Sequence, residues 1–410
     1  CNLLEDFPLL KHLDAEGNNI SQLVITESSI SRSISRASLL QNAYLETILL
    51  DKVGNTAKHT RAYLEKLTLP LNTLRSIVLV GCSFQRSKDF LPWPKSFSSI
   101  RRFDGTANEL RGGALVLFHD LPNVEEIYLH VAKIQGDIGE LSSVTSLKHI
   151  EMNGNNLTGD FSTLKNLPLS HLEIGNSFRF GSEINVTAIE TLTQLEYIYL
   201  NSNPMLVGAF PKLIGQLTRL THLDISTCGV VGEVPAQVSK LISLSHIDVS
   251  YNKGLNVNLS AFKNLSKLVS LGLDEIALSK KWSASIGKLT KLTYLSLGAT
   301  NISGDIGNTF KNMKGLSVLK LGRNQFSGDL SPFSELYKLT RLHLNHNAFE
   351  GTLEWIKGLM NLEDLKLQGN HLNMNGTKLY LKNLTKLETA DIDISYDRYD
   401  PRSVVGLDCG

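Results

Sequence analysis

One phrase, L-x-x-L-x-L-x-x-N-x-L, returns along this chain about every 24 residues. Clear copies are Leu195, Ile198, Leu200, Asn203; Leu220, Leu223, Ile225, Cys228; Leu244, Ile247, Val249, Asn252; and Leu292, Leu295, Leu297, Thr300. The frame continues through Leu316–Asn324, Leu339–Asn347, Leu362–Asn370 and a weaker copy at Leu387–Ser395. Looser copies run from Ile20 to Ser28, Leu45 to Val53, Leu74 to Cys82, Ile100 to Asn108, Val124 to Ala132, Leu147 to Asn155, Leu169 to Ser177 and Leu268 to Ile276. The total is 16 copies, with 22 to 29 residues between successive ninth positions.

That periodicity removes the usual limit on length. A chain of 410 residues would ordinarily split into two or three globular domains. In a solenoid each repeat packs only on its neighbours, so added repeats enlarge no single core. The L-x-L centre of each copy alternates with period two, which predicts a short strand with leucines inward and the intervening residues outward. Stacked copies then form one long parallel sheet. Asn fills the ninth position seven times, and its amide carries donors and an acceptor suited to bonding the turn backbone of adjacent repeats. Ser28, Ser177, Ser395, Thr300, Cys82 and Cys228 are smaller substitutes there, whereas Val53, Ala132 and Ile276 offer no hydrogen bond and predict local irregularity.

Behind the strands, segments such as Leu157 with Gly159, Ile302 with Gly304 and Ile306, and Phe326 with Gly328 and Leu330 repeat an L-x-G-x-I pattern. Ile214, Leu217 and Leu220 then recur at intervals suited to a helical or 3₁₀ turn on the convex side. These residues resemble the plant-type subclass of leucine-rich repeats, whose consensus ends in L-x-G-x-I-P. Gly232, Val234 and Pro235 complete that ending in one repeat, and most other repeats lack the proline. The resemblance covers nearly the whole chain. It implies an α/β solenoid, a right-handed superhelix or horseshoe with about 16 short strands on its concave face. Residues 1–19 would be an N-terminal cap remnant, 20–395 the solenoid and 396–410 a C-terminal cap. The family implies binding, as in receptor ectodomains and polygalacturonase-inhibiting proteins.

Composition excludes several other classes. The chain is 42% hydrophobic and 20% charged, which suits a folded protein and not a disordered one. Lysine plus arginine (41) nearly balance aspartate plus glutamate (40), so no global field favours nucleic acid or an anionic membrane. No apolar stretch reaches the length that spans a bilayer, and neither an initiator Met nor a signal-peptide core is present. We read the chain as a processed product or a portion of something longer. The four cysteines show neither a C-x-x-C pair nor zinc-ligand spacing. Cys82 and Cys228 occupy the Asn slot and are expected to be buried structural thiols, too far apart along the stack to bond each other. Cys1 and Cys409 lie in the caps, where the family commonly pairs cysteines; each lacks a neighbouring partner, which leaves truncation or bonding to another chain.

Eight N-x-S/T sequons stand at Asn19, Asn156, Asn185, Asn258, Asn264, Asn301, Asn375 and Asn383, and with the repeat type they point to secretion. No H-E-x-x-H, G-x-S-x-G, P-loop or dinucleotide fingerprint fits; Gly287-Lys288-Leu289 lacks the Ser or Thr of a P-loop. Four strands instead carry His, a core residue, then an acid: His149 with Glu151, His171 with Glu173, His222 with Asp224, and His246 with Asp248. Equivalent positions on neighbouring strands lie about 4.8 Å apart, so imidazoles would line up beside a column of carboxylates. This stripe is read as a contact surface without metal, although imidazole also titrates near neutrality and ligates transition metals. Tyr128, Tyr197 and Tyr199 share the same face as candidate anchors, or as cross-strand packing. Farther along come Lys320, Arg323, Arg341, His343, Asn345, His346 and Lys366, offset by Glu363 and Asp364, and nearer the start Arg101 and Arg102. Either basic group is a solvated face or a contact for an acidic ligand.

The resulting expectation is a non-enzymatic extracellular or cell-surface recognition module without a cofactor, whose concave side takes a protein, peptide or glycan. Two alternatives stand beside it: a subunit of a surface or matrix filament that self-associates through its caps, and a secreted inhibitor of a polysaccharide hydrolase.

Overall fold

In a computed structural model the described residues are the strands His12–Asp14, Gln22–Thr26, Arg36–Ser38 and Thr47–Asp51, together with 74–78, 80, 95–110, 114–178, 183–278, 284–373 and 380–392. The chain divides into two compact units, Cys1–Val207 and Gly208–Gly410. In the first, eight parallel strands follow one another in chain order: Gln22–Thr26, Thr47–Asp51, Ser76–Val78, Arg102–Asp104, Glu126–Tyr128, His149–Glu151, His171–Glu173 and Tyr197–Tyr199. The second has eight more: His222–Asp224, His246–Asp248, Ser270–Gly272, Tyr294–Ser296, Val318–Lys320, Arg341–His343, Asp364–Lys366 and Thr389–Asp391. Every one coincides with a copy of the phrase, so the solenoid expected from the sequence is the fold. A further parallel pair, His12–Asp14 with Arg36–Ser38, has no counterpart in the phrase. The remainder of the expected N-terminal cap and all of 396–410 lie outside the described residues, as do Cys1, Cys82, Cys409, Ser28, Val53 and Ser395.

Register is strict because leucine stacks on leucine. Ile127 pairs with Ile150, Ile150 with Leu172, and Leu172 with Ile198. Leu271, Leu295, Leu319, Leu342 and Leu365 form the equivalent row of the second unit. A slip of one residue would turn each row to solvent. Most strands bury the middle residue and leave both flanks half-exposed, as in Glu126–Tyr128, His149–Glu151 and Asp364–Lys366. Behind the sheets, phenylalanines from successive connectors meet edge to face: Phe103 with Phe118 at 5.3 Å, Phe161 with Phe178 at 5.5 Å, and Phe310 with Phe333 at 5.4 Å between ring centres.

The connectors are more regular than the sequence indicated. Their 3₁₀ turns, such as Ile138–Ser143, Ile214–Gln216 and Ala236–Lys240, were anticipated in kind. The L-x-G segments, however, add short strands of their own. Gln135–Asp137 pairs with Asn156–Thr158, and Ser303–Asp305, Gln325–Asp329, Ala348–Thr352 and His371–Asn373 form a four-stranded parallel ladder. The glycine is needed there. Gly159 and Gly328 adopt φ of +96° and +108°, and a Cβ at either would run into the carboxylate of Asp137 or Asp305 from the preceding repeat. The residue after the glycine commonly caps the next turn: Asp137 accepts from Gly139 N at 2.7 Å and Asp160 from Ser162 N at 2.8 Å.

The ninth-position amide ties each rung to the one before. Asn203 donates through Nδ2 to Leu200 O (2.8 Å) and to Ile174 O of the previous rung (2.7 Å). Its Oδ1 accepts from Ser177 N and Phe178 N, both at 2.8 Å. Asn155, Asn252, Asn324, Asn347 and Asn370 likewise donate both to their own rung and to the one before. Ala132 is spared an orphaned N–H because Asn155 Oδ1, one rung later, accepts from Ala132 N and Ile134 N at 3.1 and 3.0 Å. An extra left-handed residue, Lys133 (φ 54°), follows Ala132, but Asn301 (φ 56°) follows the hydrogen-bonding Thr300 in the same way and Ile276 has no such successor, so this feature does not track the missing hydrogen bond. Cys228 corrects the expectation of a buried thiol. It is half-buried, with Sγ 3.5 Å from Ser226 O, since a thiol is too short to span two rungs as Asn does.

Immediately before the ninth position the chain is left-handed in every described repeat from residue 100 to 370. Ala107, Val131, Asn176, Ser202, Thr227, Tyr251, Glu275, Ala299, Arg323 and His346 have φ between 49° and 61°, and Gly154 and Gly369 hold the same place. The consensus writes this position as free, yet its backbone is the most constrained of the turn. Val131 is β-branched and 60% exposed, so it bears the strain with little burial in return. Val131→Asn should stabilise the chain by about 1 kcal/mol, read as a higher urea midpoint at unchanged slope. Asn324→Ala, by contrast, strands the N–H groups of Thr300 and Ile302 and removes one of the donors to the carbonyls of Leu297 and Leu321, and should cost about 2 kcal/mol in the same assay.

Candidate functional site

The strand flanks form two columns in each unit, and their chemistry follows from the register. In the first unit Glu126, His149, His171 and Tyr197 align in one column, and Asp104, Tyr128, Glu151, Glu173 and Tyr199 in the other. The rings stack. His149 and His171 lie parallel, 4.0 Å apart with 7° between planes; Tyr128 tilts against His149 at 4.9 Å and Tyr197 against His171 at 4.9 Å. Arg102 covers the other face of Tyr128 at 4.0 Å and reaches Glu126 at 3.4 Å. Burial first, then the neighbouring Glu126, pushes the Tyr128 hydroxyl up to about 12. These contacts make Tyr128 and Tyr197 part of a cross-rung stack. Arg101 pairs with Glu125, so neither arginine of that group stands as an uncompensated charge.

Imidazole and carboxylate meet as the sequence implied, with one participant it missed. His130, outside the strand, brings Nε2 to 2.8 Å from Glu151 Oε2, while His149 bonds Oε1. Burial would raise the Glu151 carboxyl, but the His130 and His149 bonds prevail and hold it well below the usual carboxylate range. The hydrogen bond to Glu151 raises His130 against the opposing effect of burial. In the second unit the His-acid expectation fails. His222 and His246 stack at 4.2 Å, but their carboxylates turn to the loops. Asp224 accepts from Ser226 N (2.9 Å) and Oγ (2.7 Å), and Asp248 accepts from Ser250 N (2.9 Å). The nearby serines compete successfully because an Asp side chain reaches its own turn more easily than the next column.

The second unit holds a hollow of about 300 Å³ that no single motif announced. Gly298 and Gly322 follow one another on adjacent rungs of its lining, with Gly272 and Ser296 beside them on the strands, and the side chains of Asp274 and Asn345 lie against these two glycines. Lys320, Arg323 and Lys366 stand around it, with His343, Asn345, Tyr251, Asp274 and Glu275. Of these, Lys320, Arg323, His343, Asn345 and Lys366 belong to the basic and amide-rich run noted in the sequence; Arg341 and His346 do not line the hollow. Tyr251, Glu275, Ala299 and Arg323 all come from the left-handed turn position, which aims them at the rim. Asp274 is occupied by Ser296 Oγ and Gly298 N, and burial raises its carboxyl. Asp364 is likewise engaged, by His343 Nε2 at 2.7 Å, Arg341 Nε at 3.1 Å and Thr389 Oγ1 at 2.8 Å. Among the described residues Lys320, Arg323 and Lys366 form no ion pair; Lys320 lies 5.8 Å over the Tyr294 ring.

The sequons occupy varied settings. Asn185 and Asn258 are exposed but cap turns through Thr187 N and Ser260 N, both at 3.0 Å. Asn264, Asn301 and Asn383 are exposed and Asn156 is half-buried, while Asn19 and Asn375 lie outside the described residues. No described helix is long and apolar enough to cross a membrane. In the described residues the hydroxyls of Thr221 and Ser245 meet the Nδ1 atoms of the residues that follow them, His222 and His246, at 2.9 and 2.8 Å.

Comparison with known proteins agrees with this architecture. The family model described as "Leucine rich repeat" matches residues 290–349. Receptor-like protein 39 of Arabidopsis thaliana is 29% identical over 168 residues, which cover 40% of this chain and 19% of that relative. The chain thus spans about a fifth of that relative's length. The ectodomain of GASSHO1/SCHENGEN3 from Arabidopsis thaliana, solved with CASPARIAN STRIP INTEGRITY FACTOR 2, superposes with TM-score 0.65 at 24% identity, covering 94% of this chain and 47% of that one. The plant peptide hormone receptor RGFR1, solved with RGF2, gives TM-score 0.66 at 20% identity over 94% and 67% of the two chains. At these identities the structural likeness is one of fold.

His343 makes the hollow sensitive to acid. Burial pushes its imidazole down, and Lys366 and Lys320 push the same way against the hydrogen bond to Asp364. Asp364, which burial would raise, is held low by its bonds to His343 and Thr389. Both groups therefore bind protons less readily folded than unfolded, so their stabilisation is lost as pH falls: through about 6.5 for His343 and below about 3.8 for Asp364. Urea midpoints should drop between pH 7.5 and 5.0, and His343→Gln should remove up to one proton's worth of that slope.

Proposed function

We propose that this chain, a leucine-rich-repeat protein of the plant type, works outside the cell or at its surface as a recognition module whose strand face holds an extended acidic peptide. The hollow in the second unit carries the reading. Among the described residues, three cations without ion-pair partners stand around it, and the acids beside them are largely engaged by hydrogen bonds. A ligand carboxylate placed there would gain charge-assisted hydrogen bonds.

The rest of the face suits a chain-like ligand. Eight strands at about 4.8 Å give roughly 34 Å of surface within the second unit alone, about ten extended residues. Tyr251, 48% exposed at the rim, supplies apolar area with a polar tip. Several structurally similar plant receptors are described in complex with peptide hormones, which supports a peptide over a glycan.

The test is binding of a defined array of ten-residue peptides, acidic and neutralised, with oligogalacturonate as the glycan arm, at 50 and 200 mM salt. Saturable binding of acidic peptides should weaken with salt and fall at least tenfold in Lys320→Ala/Arg323→Ala/Lys366→Ala. Equal binding by that variant, or a response to the glycan alone, would overturn the reading.

A further inference from the structure

On the strand face of the first unit the two stacked imidazoles, His149 and His171, aim their Nε2 atoms at the same carboxylate. His149 Nε2 meets Glu151 Oε1, and His171 Nε2 lies 3.5 Å from that oxygen and 3.5 Å from Glu173 Oε2. At those separations His171 Nε2 makes no hydrogen bond, although the atom is enclosed. A buried ring nitrogen without a partner calls for an explanation. In the neutral form each imidazole offers a lone pair.

The surroundings hold these donors in place. His130 Nε2, at 2.8 Å, fixes Glu151 Oε2 and so leaves Oε1 facing the two rings. Asn153 Nδ2 bonds Glu173 Oε1, leaving Oε2 toward His171, and its own Oδ1 is anchored by Gly175 N at 2.6 Å. Tyr128 and Tyr197 pack against the outer faces of the imidazoles and restrict their rotation. The ligand atoms of His149, Glu151 and His171 all lie within 4.8 Å of one another. Tetrahedral donors at about 2.0 to 2.2 Å from a common centre lie about 3.4 Å from one another, which the 3.5 Å separations of His171 Nε2 from Glu151 Oε1 and Glu173 Oε2 already match, and rotation of the imidazoles brings in the remaining donor.

We propose that His149 Nε2, His171 Nε2 and Glu151 Oε1 form a site for a late first-row divalent cation such as Zn²⁺, with Glu173 Oε2 as the fourth donor. Two imidazoles and carboxylate oxygens are the donor set that favours these ions over calcium or magnesium. His130 then acts from outside, orienting the Glu151 carboxylate. The second unit contains an internal control. His222 and His246 stack in the same way, yet Asp224 and Asp248 are bonded within their own turns and present no carboxylate to the rings.

The experiment uses the full chain and Zn²⁺ alone, so its outcome is independent of any peptide. Calorimetric titration, backed by metal analysis after dialysis, should show one strong equivalent. His149→Ala/His171→Ala should lose that equivalent, and His222→Ala/His246→Ala should keep it. Should the double variant misfold by circular dichroism, Glu151→Gln provides the second arm, with an affinity at least about tenfold weaker expected. Co²⁺ absorption should report nitrogen and oxygen ligation in the wild-type chain and vanish in the variant. Zinc uptake equal in wild type and His149→Ala/His171→Ala, or lost equally in the His222/His246 variant, would overturn the proposal.

Discussion

The structure depends on a side-chain amide that performs the task of a backbone. Each short strand must reverse within a few residues, and the reversal leaves carbonyl and N–H groups inside the stack where water cannot reach them. The ninth-position Asn meets both kinds of group, and it does so across two rungs, as Asn203 shows by bonding Leu200 and Ile174 on one side and Ser177 and Phe178 on the other. The leucine rows bury the apolar surface, but leucines alone would tolerate sliding. The amide fixes how one turn lies against the next, and the parallel register of the strand face follows.

That register turns local sequence into a surface. Because residues one repeat apart become lateral neighbours, His149 meets His171, and Gly298 meets Gly322. Neither contact has meaning in a linear reading without the repeat frame. The same geometry explains why the two histidine pairs differ. In the first unit glutamates reach across the columns, whereas in the second the shorter aspartates are captured by serines of their own turns. One methylene separates a shared cluster from two satisfied loops.

Much of the fold was legible in the sequence because leucine spacing and strand pairing are both set by short-range periodicity. The sixteen strands and the alternation of buried centre and half-exposed flanks could be read directly. The short strands behind the sheet were not, since L-x-G-x-I carries too few β-branched residues to signal pairing, and it pairs only because the stack already holds it in line. The candidate site was legible in part. The basic run around Lys320, Arg323 and Lys366 was visible, but the hollow draws its lining from several rungs, from Tyr251 to Lys366, which only the stack brings together. His130 escaped attention because it lies beyond the strand, just after the L-x-L centre ends, where the phrase specifies nothing. Cys228 was placed correctly in the repeat and wrongly in its environment, because slot occupancy alone does not convey side-chain reach.

The left-handed residue ahead of each amide has an evolutionary consequence. Ala107, Thr227, Tyr251, Glu275, Arg323 and His346 all accept the same backbone geometry while projecting different chemistry outward. Since the fold asks only for that geometry, mutation at one rung can change what the rim offers without disturbing adjacent rungs. A lineage built on this plan can therefore drift toward a new ligand one turn at a time, keeping a folded intermediate at every step.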